Sequence, residues 1–341
     1  MGRPRTRRVA ALATLALAAT LAVGGTAAGH DRGHGHGPHR TRIDHVFTIV
    51  LENYKAEDVT PTSAPYLTEL ATRGVSLDAM YGADHLSLTN YIAMTSGQTP
   101  NAKTKGDCFF YDCIFEAPND ANIADQLEGA GYDWKAYMDG MPRPCAHPTQ
   151  AGTLDPYLVG YATRHNPFMY YRSIVGPDIT AVPARCAAHD VPFTQFGADL
   201  AQHRTGNYTL IVPDTCHDAH DRGEECSLPT ADTWLRWIVP SILASREYRH
   251  HGALIITFDE SEASDTRGCC GNSAGGRIAT VVLSPAVTAP GSRSTVPYNH
   301  YSLLRTIEDL FGLPCLGHAC DATITPFGTD VWSVRTGHPH H

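Results

Sequence analysis

Several features are missing from this 341-residue sequence, and each absence excludes something. No apolar run is long enough to cross a membrane: the most extended one, Val9–Val23, falls short of the roughly 20 residues a spanning helix needs, so no transmembrane anchor is expected. No C-x-x-C pair occurs among the ten cysteines, which removes the usual support for a structural zinc cluster. Positive charge is in deficit, with 26 Lys and Arg against 35 Asp and Glu. No internal repeat is found, so a solenoid or propeller is not expected.

The first residues read as an export signal over 1–28: Arg3, Arg5, Arg7 and Arg8, then the apolar run, then small residues through Ala28. Cleavage near Gly29 leaves 22 basic against the same 35 acidic residues, a net charge of −13, which argues against non-specific nucleic-acid binding. An exported chain meets an oxidising compartment, and ten cysteines there are most simply five disulfides. Short loops favour Cys108 with Cys113, Cys216 with Cys226 and Cys315 with Cys320, leaving Cys145 with Cys186 and the neighbours Cys269 and Cys270. For that last pair, a bond between adjacent residues and two separate longer bridges both remain open.

Residues 29–42 form a Gly- and His-rich segment without apolar period, and 334–341 form a similar tail; both read as flexible. Between them, short β-branched runs alternate with helix-length amphipathic ones: "HVFTIVL" before "SAPYLTELATRG", "NIADQLEGAG" before "DWKAYM", "FGADLAQHR" before "YTLIVP", and "TADTWLRWIVPSILASREY" before "GALIITF". Such alternation implies right-handed crossovers and a mostly parallel central sheet covered on both faces, hence a three-layer α/β sandwich as one domain over 43–333. Two stretches rich in Pro, Cys and aromatics, about 100–118 and 141–192, read as insertions near the strand ends.

Three apolar runs end alike. "FTIVL" meets Glu52 and Asn53, "YTLIVP" meets Asp214 and then Asp218, and "GALIITF" meets Asp259 and Glu260. In an open α/β sheet, ligands bind in the crevice outside the carboxyl ends of the strands. Carboxylates gathered there repel and raise one another's pKa, a penalty that a divalent cation removes. An oxygen-rich set suits Mg²⁺, Ca²⁺ or Mn²⁺ better than zinc, although zinc stays possible. Opposite such a cation a nucleophile is expected, and "DHLSLTNYIAMTSG" offers Ser87, Thr89, Thr95 and Ser96. Ser87 opens the helix, where backbone N–H groups and the dipole favour a phosphate-like anion; an ordinary N-cap is the plain alternative.

The ordered blocks "HVFTIVLENY", "HLSLTNYIAMTSG", "RHNPFMYY", "PDTCHDAH", "LIITFDE" and "NHYSLLRTIEDLFG" resemble the bacterial phosphoesterase family, which groups secreted acid phosphatases with phospholipases C inside the alkaline phosphatase superfamily. The resemblance implies an alkaline-phosphatase-like core and a metal held by Glu52, Asn53, Asp259 and Glu260. It also implies Ser87 as the nucleophile and Asn90 as a phosphate ligand, with Thr89 where relatives usually carry proline. His165 and His220 match blocks whose histidines contact the transferring phosphoryl group or protonate the leaving oxygen; His217, Asp218 and His300 are second-rank candidates. The doublets differ from the ligands of two-zinc alkaline phosphatases, which points to one cation. "SLTNY" also lacks the Pro and Arg that sulfatases need after their nucleophile.

The expected function is therefore a secreted metal-dependent phosphatase that hydrolyses phosphomonoesters through a phosphoserine intermediate. A phospholipase C or other phosphodiesterase acting on a phospholipid head group is the alternative on the same core. A non-catalytic metal-binding protein is the remote one, since its signature, a missing nucleophile or ligand doublet, is absent.

Overall fold

The computed structural model describes residues 43–333 apart from 100, 103 and 272, together with Gly2. The export signal (Gly2 apart), the His/Gly-rich segment and the C-terminal tail lie outside the described residues. Contacts divide the chain after His39, and the fold described here belongs to the unit that follows.

Eleven strands and nine α-helices occur among the described residues. The strands are β1 (His45–Leu51), β2 (Val75–Leu77), β3 (Met80–Tyr81), β4 (Trp134–Met138), β5 (Asp190–Pro192), β6 (Tyr208–Val212), β7 (Gly252–Phe258), β8 (Arg277–Ile278), β9 (Thr280–Leu283), β10 (Ser292–Ser294) and β11 (Tyr298–Asn299). The helices are α1 (Pro65–Ala71), α2 (Ser87–Ser96), α3 (Ile123–Gly129), α4 (Arg172–Val175), α5 (Ala184–His189), α6 (Phe196–Ala201), α7 (Leu228–Ala244), α8 (Arg246–His251) and α9 (His300–Phe311).

Eight strands form the main sheet in the order β10-β2-β9-β7-β1-β6-β4-β5. From β7 through β5 all neighbours are parallel, whereas β9 runs antiparallel to both β7 and β2. Strands β6 and β7 are buried at every position and β1 at all but His45, as a sheet covered on both faces requires. The covering helices form two groups, α1 with α7 and α8, and α2 with α3 and α9. The mostly parallel three-layer architecture is thus the one the alternating sequence implied. A small sheet, β11-β3-β8, stands apart.

Local structure adds detail to the sequence reading: "RIATVVLS" is two strands in different sheets, β8 and β9. The long helical stretch ending in "SREY" breaks at Ser245, whose side chain caps α8 by accepting the Tyr248 N–H at 3.2 Å. The second insertion is not all loop: it carries α4 and α5, and its last residues form β5 at the edge of the main sheet.

All ten cysteines pair: Cys108–Cys113, Cys145–Cys186, Cys216–Cys226, Cys315–Cys320 and the adjacent Cys269–Cys270. Three of these close short loops, one joins neighbours, and Cys145–Cys186 ties the start of the second insertion to α5.

Strand register positions the crevice. β1 and β7 run level, from His45 opposite Gly252 to Leu51 opposite Phe258, so Glu52 and Asp259 leave the sheet side by side. The backbone continues the pairing past the strands, with Asp259 N–H donating to Leu51 O at 2.8 Å and Glu52 N–H to Asp218 O at 2.9 Å.

Candidate active site

Glu52 stands at the centre, fully buried at the end of the middle strand. Its Oε2 accepts the Ser87 hydroxyl at 2.8 Å and the Asn53 amide Nδ2 at 3.2 Å, while its Oε1 accepts the Tyr91 hydroxyl at 2.7 Å. Ser87 and Tyr91 reach one carboxylate because residues four apart share a helix face. His165 lies against the same group, with Nε2 3.5 Å from Glu52 Oε1, Nδ1 3.1 Å from Asp218 Oδ2, and its ring stacked on Tyr91 at 5.5 Å.

The first turn of α2 explains why Ser87, among the four hydroxyls of its segment, faces the carboxylate. Ser87 is the first helical residue rather than the cap; Leu86 precedes it at φ 81°, a left-handed conformation that leucine rarely adopts. The Thr89 hydroxyl donates to Leu86 O at 2.7 Å, and the Thr95 and Ser96 hydroxyls donate to Tyr91 O and Ile92 O. Asn90 is likewise engaged: its Oδ1 accepts the Ala83 and Asp84 amides, and its Nδ2 donates to Asp84 O and Leu86 O. It therefore shapes the loop leading into Ser87.

The expected metal doublets divide. Asp259 joins Glu52, its Oδ1 accepting the Asn53 amide N–H at 3.1 Å and its Oδ2 buried without a partner. Asn53 makes this turn at φ 62°, which asparagine tolerates better than most residues. Glu260 is turned the other way: its Oε2 takes the Leu86 amide at 2.9 Å and His85 Nδ1 at 2.7 Å. Asp218 and His165, reached from a loop and an insertion, complete a compact group with Glu52, one ligand atom of each lying within 4.8 Å of the others.

Electrostatics follow from burial. Glu52 is held well above the usual carboxylate range by desolvation first, then by the charges of Asp259 and Asp218; desolvation also raises those two, with the charge of Glu260 acting on Asp259 and those of Asp259, Asp214 and Asp221 on Asp218. Burial pushes the His165 imidazole well below its ordinary value, reinforced by Arg164 and His220. Three buried carboxylates and a neutral imidazole, with Asp259 Oδ2 and His165 Nε2 both lacking hydrogen bonds, are a donor set suited to a divalent cation.

His220 borders the group, its ring 5.2 Å from that of His165 and its Nε2 3.0 Å from Arg164 Nη2. Burial and then Arg164 hold its imidazole below the ordinary value. His300 is elsewhere: buried at the start of α9, it contacts the Asp259 backbone carbonyl through Nε2, and burial pushes its pKa down to about 4. His217 faces away from Asp218, with Nδ1 3.0 Å from Asp214 Oδ1 and 3.5 Å from Asp139 Oδ2.

Sequence reasoning missed Tyr91, Arg164, Asp107 and His85. Tyr91 was legible as the residue one turn after Ser87. Arg164, next to His165, is a buried guanidinium 3.9 Å from Asp107, and Asp107 in turn accepts the Leu88 amide in the first turn of α2 at 3.1 Å. Nothing in the local pattern marks Asp107 or His85.

Residues 34–314 match the phosphoesterase family model. A protein named acid phosphatase from Aspergillus fumigatus is 26% identical over 86% of this chain and 60% of its own length, and a phosphatidylinositol-3-phosphatase from Mycobacterium tuberculosis is 27% identical over 84% and 82%. The chain therefore spans about three fifths of that fungal relative. Among solved structures, a protein in the alkaline phosphatase superfamily from Vibrio parahaemolyticus aligns over 84% of this chain and 70% of its own with a TM-score of 0.55 at 14% identity, a likeness of fold. With the family match covering most of its length, this chain belongs to the phosphoesterase family.

Proposed function

We propose that this protein is an exported phosphatase that hydrolyses phosphomonoesters through a phosphoserine formed on Ser87. The observation that carries this reading is the 2.8 Å hydrogen bond from Ser87 Oγ to Glu52 Oε2 inside a buried carboxylate and imidazole cluster. The relatives named as phosphatases and the disulfides, which persist in an oxidising compartment, support it.

Glu52, Asp218, Asp259 and His165 would hold one divalent cation. The imidazole broadens the expectation from Mg²⁺, Ca²⁺ or Mn²⁺ toward zinc. When bound, such a cation supplies Lewis acidity toward a phosphoryl oxygen and lowers the pKa of a nearby hydroxyl. The chain's own groups do the rest. Glu52 Oε2 orients the Ser87 hydroxyl and takes its proton as Oγ bonds to phosphorus and the bond to the leaving alcohol breaks. Arg164 and the amides of the first turn of α2 other than that of Leu88, which Asp107 holds, stabilise charge on the equatorial oxygens. The leaving alkoxide takes its proton from solvent. Water then attacks phosphorus from the vacated side, losing a proton to solvent as phosphate is released, and the proton on Glu52 returns to Ser87.

The test compares p-nitrophenyl phosphate turnover by the native chain and Ser87→Ala, before and after EDTA with metal add-back. Ser87→Ala is expected to lose at least about a thousandfold in kcat. Full activity in that variant, or indifference to chelation, would refute the mechanism.

A second reading, cleavage of phospholipids, has one observation in its favour. Phe109, Phe110, Leu154 and Val159 are exposed large apolar residues. Two backbone bonds, Asp155 N–H to Phe109 O and Gly152 N–H to Phe110 O, join the Phe109–Phe110 and 152–155 loops, and Asp107, next to Cys108, connects this rim to α2. Faster release from phosphatidylcholine than from p-nitrophenyl phosphate would make that reading the better one.

A further inference from the structure

The turn that carries Arg164 and His165 into the site belongs to the second insertion, and a buried pair of side chains fastens it to the edge of the main sheet. Thr163–His165 is a single 3₁₀ turn, and the residue after it, Asn166, is fully buried. The Asn166 amide nitrogen has two acceptors, one for each of its hydrogens: the Tyr161 hydroxyl oxygen at 3.0 Å and Asp190 Oδ1 at 2.9 Å. Tyr161 in turn donates to Ala146 O at 2.6 Å. Asp190, also fully buried, opens β5 opposite Ala136 of β4, and its backbone carbonyl accepts the Cys145 N–H at 2.9 Å. The Cys145–Cys186 bridge closes the same corner from α5.

Two atoms of this pair are left over. Asn166 Oδ1 and Asp190 Oδ2 are both buried, and neither makes a hydrogen bond. While Asp190 is ionised both are acceptors, so neither can serve the other. A buried carboxylate with one neutral donor is also poorly compensated. One proton on Asp190 Oδ2 removes both faults, because it cancels the charge and gives Asn166 Oδ1 a donor; acid and amide then join through two hydrogen bonds. Burial raises the Asp190 carboxyl to about 7, although the hydrogen bond from Asn166 draws it down. The ionisable groups around it do not favour its charged form. The Tyr161 and Tyr111 phenols are pushed well above their ordinary value by burial and stay neutral. Lys135 and Tyr137, on either side of Ala136, turn to Asp199. Arg143 donates to Cys145 O at 3.3 Å, and His189 turns to Arg185 O and Asp133.

We infer that Asp190 is held as a neutral carboxylic acid joined to Asn166 by two hydrogen bonds, and that this pair positions the turn bearing Arg164 and His165. Asp190 is thus a positioning residue that acts through Asn166. The catalytic part of this role rests on the phosphatase reading; the protonated pair does not.

Asp190→Asn isolates the proton, since an amide at position 190 can accept from Asn166 Nδ2 and donate to Asn166 Oδ1 at any pH. Infrared difference spectra of the full chain, native minus Asp190→Asn, are expected to show the carbonyl stretch of a protonated carboxyl at pH 5.5 and to lose it as pH rises through about 7. Turnover of p-nitrophenyl phosphate is measured on the same two proteins and on Asp190→Ala. At pH 5.5 Asp190→Ala is expected to lose roughly tenfold or more in kcat, and Asp190→Asn to recover that loss. Above pH 8, with each rate taken relative to its own value at pH 5.5, Asp190→Asn is expected to exceed the native chain roughly three- to tenfold. If Asp190→Ala does not fold, the infrared band and the Asp190→Asn profile decide. No protonated-carboxyl band at pH 5.5 would overturn the pair. A band accompanied by full kcat in Asp190→Ala, or by superimposable pH profiles of native and Asp190→Asn chains, would overturn the positioning role. A band in a native chain that cleaves no phosphate ester would remove the phosphatase reading and leave the pair standing.

Discussion

Glu260 accepts the backbone N–H of Leu86 at 2.9 Å, and with it holds the residue that precedes Ser87 in a left-handed conformation, φ 81°. Such a conformation costs roughly 1–3 kcal/mol and persists only where neighbours enforce it. Here they act from both sides, since Thr89 and Asn90 hold the Leu86 carbonyl.

From this geometry Glu260 acts by positioning the nucleophile. Glu260→Ala is expected to lower kcat by about a hundredfold while bound metal, measured by elemental analysis, stays near that of the native chain. Loss of metal in parallel with kcat would restore Glu260 as a ligand.

Asp218 makes a different prediction. With three buried carboxylates each raised by desolvation and by neighbouring acidic charges, removing the cation should lower Tm, and replacing one charge by an amide should relieve the apo chain. Asp218→Asn is therefore expected to bind metal more weakly yet to narrow the Tm gap between metal-loaded and EDTA-treated protein. An unchanged gap in calorimetry would count against Asp218 as a ligand.

Glu308, away from the site on α9, tests burial alone. Desolvation raises its carboxyl to about 8, with Oε1 accepting the Leu316 amide at 2.7 Å. A carboxyl raised on folding contributes stability below its unfolded pKa, and that contribution is lost as pH rises toward the folded value. Glu308→Gln should therefore match the native Tm near pH 4.5 and exceed it progressively up to pH 8–9, by on the order of 3 kcal/mol or roughly 6 °C. Parallel Tm curves across that range would show that Glu308 does not take up the proton.

The Cys216–Cys226 bridge closes the loop carrying Asp218 and His220. Cys216→Ser/Cys226→Ser is expected to cost about 2–3 kcal/mol of stability and to reduce kcat more than tenfold at temperatures where the chain is still folded. Retained kcat in the folded double variant would show that β6 and Asp218 fix the loop without the bridge.

Much of this was legible in the sequence because it is local. β-branched runs ending in "EN" and "DE" marked β1 and β7, and level parallel pairing then brings Glu52 beside Asp259. Ser87 and Tyr91 share a face by helical period alone. The short disulfide loops followed from spacing, whereas the adjacent bond at Cys269–Cys270 was one of two options.

Glu260 shows where local reading stops. It directly follows Asp259, and in an extended segment consecutive side chains point to opposite sides, so the two residues of the doublet face different partners. Asn90, read as a phosphate ligand, is consumed by the loop 83–86 that packs over it. Composition and periodicity determined the layered sheet, the crevice at its carboxyl edge and the residues that leave the strands there. Tertiary structure alone decided which oxygens meet, drawing His165 from an insertion and Asp218 from a disulfide-closed loop onto Glu52, because such contacts depend on chain paths more than a hundred residues apart that no local pattern encodes.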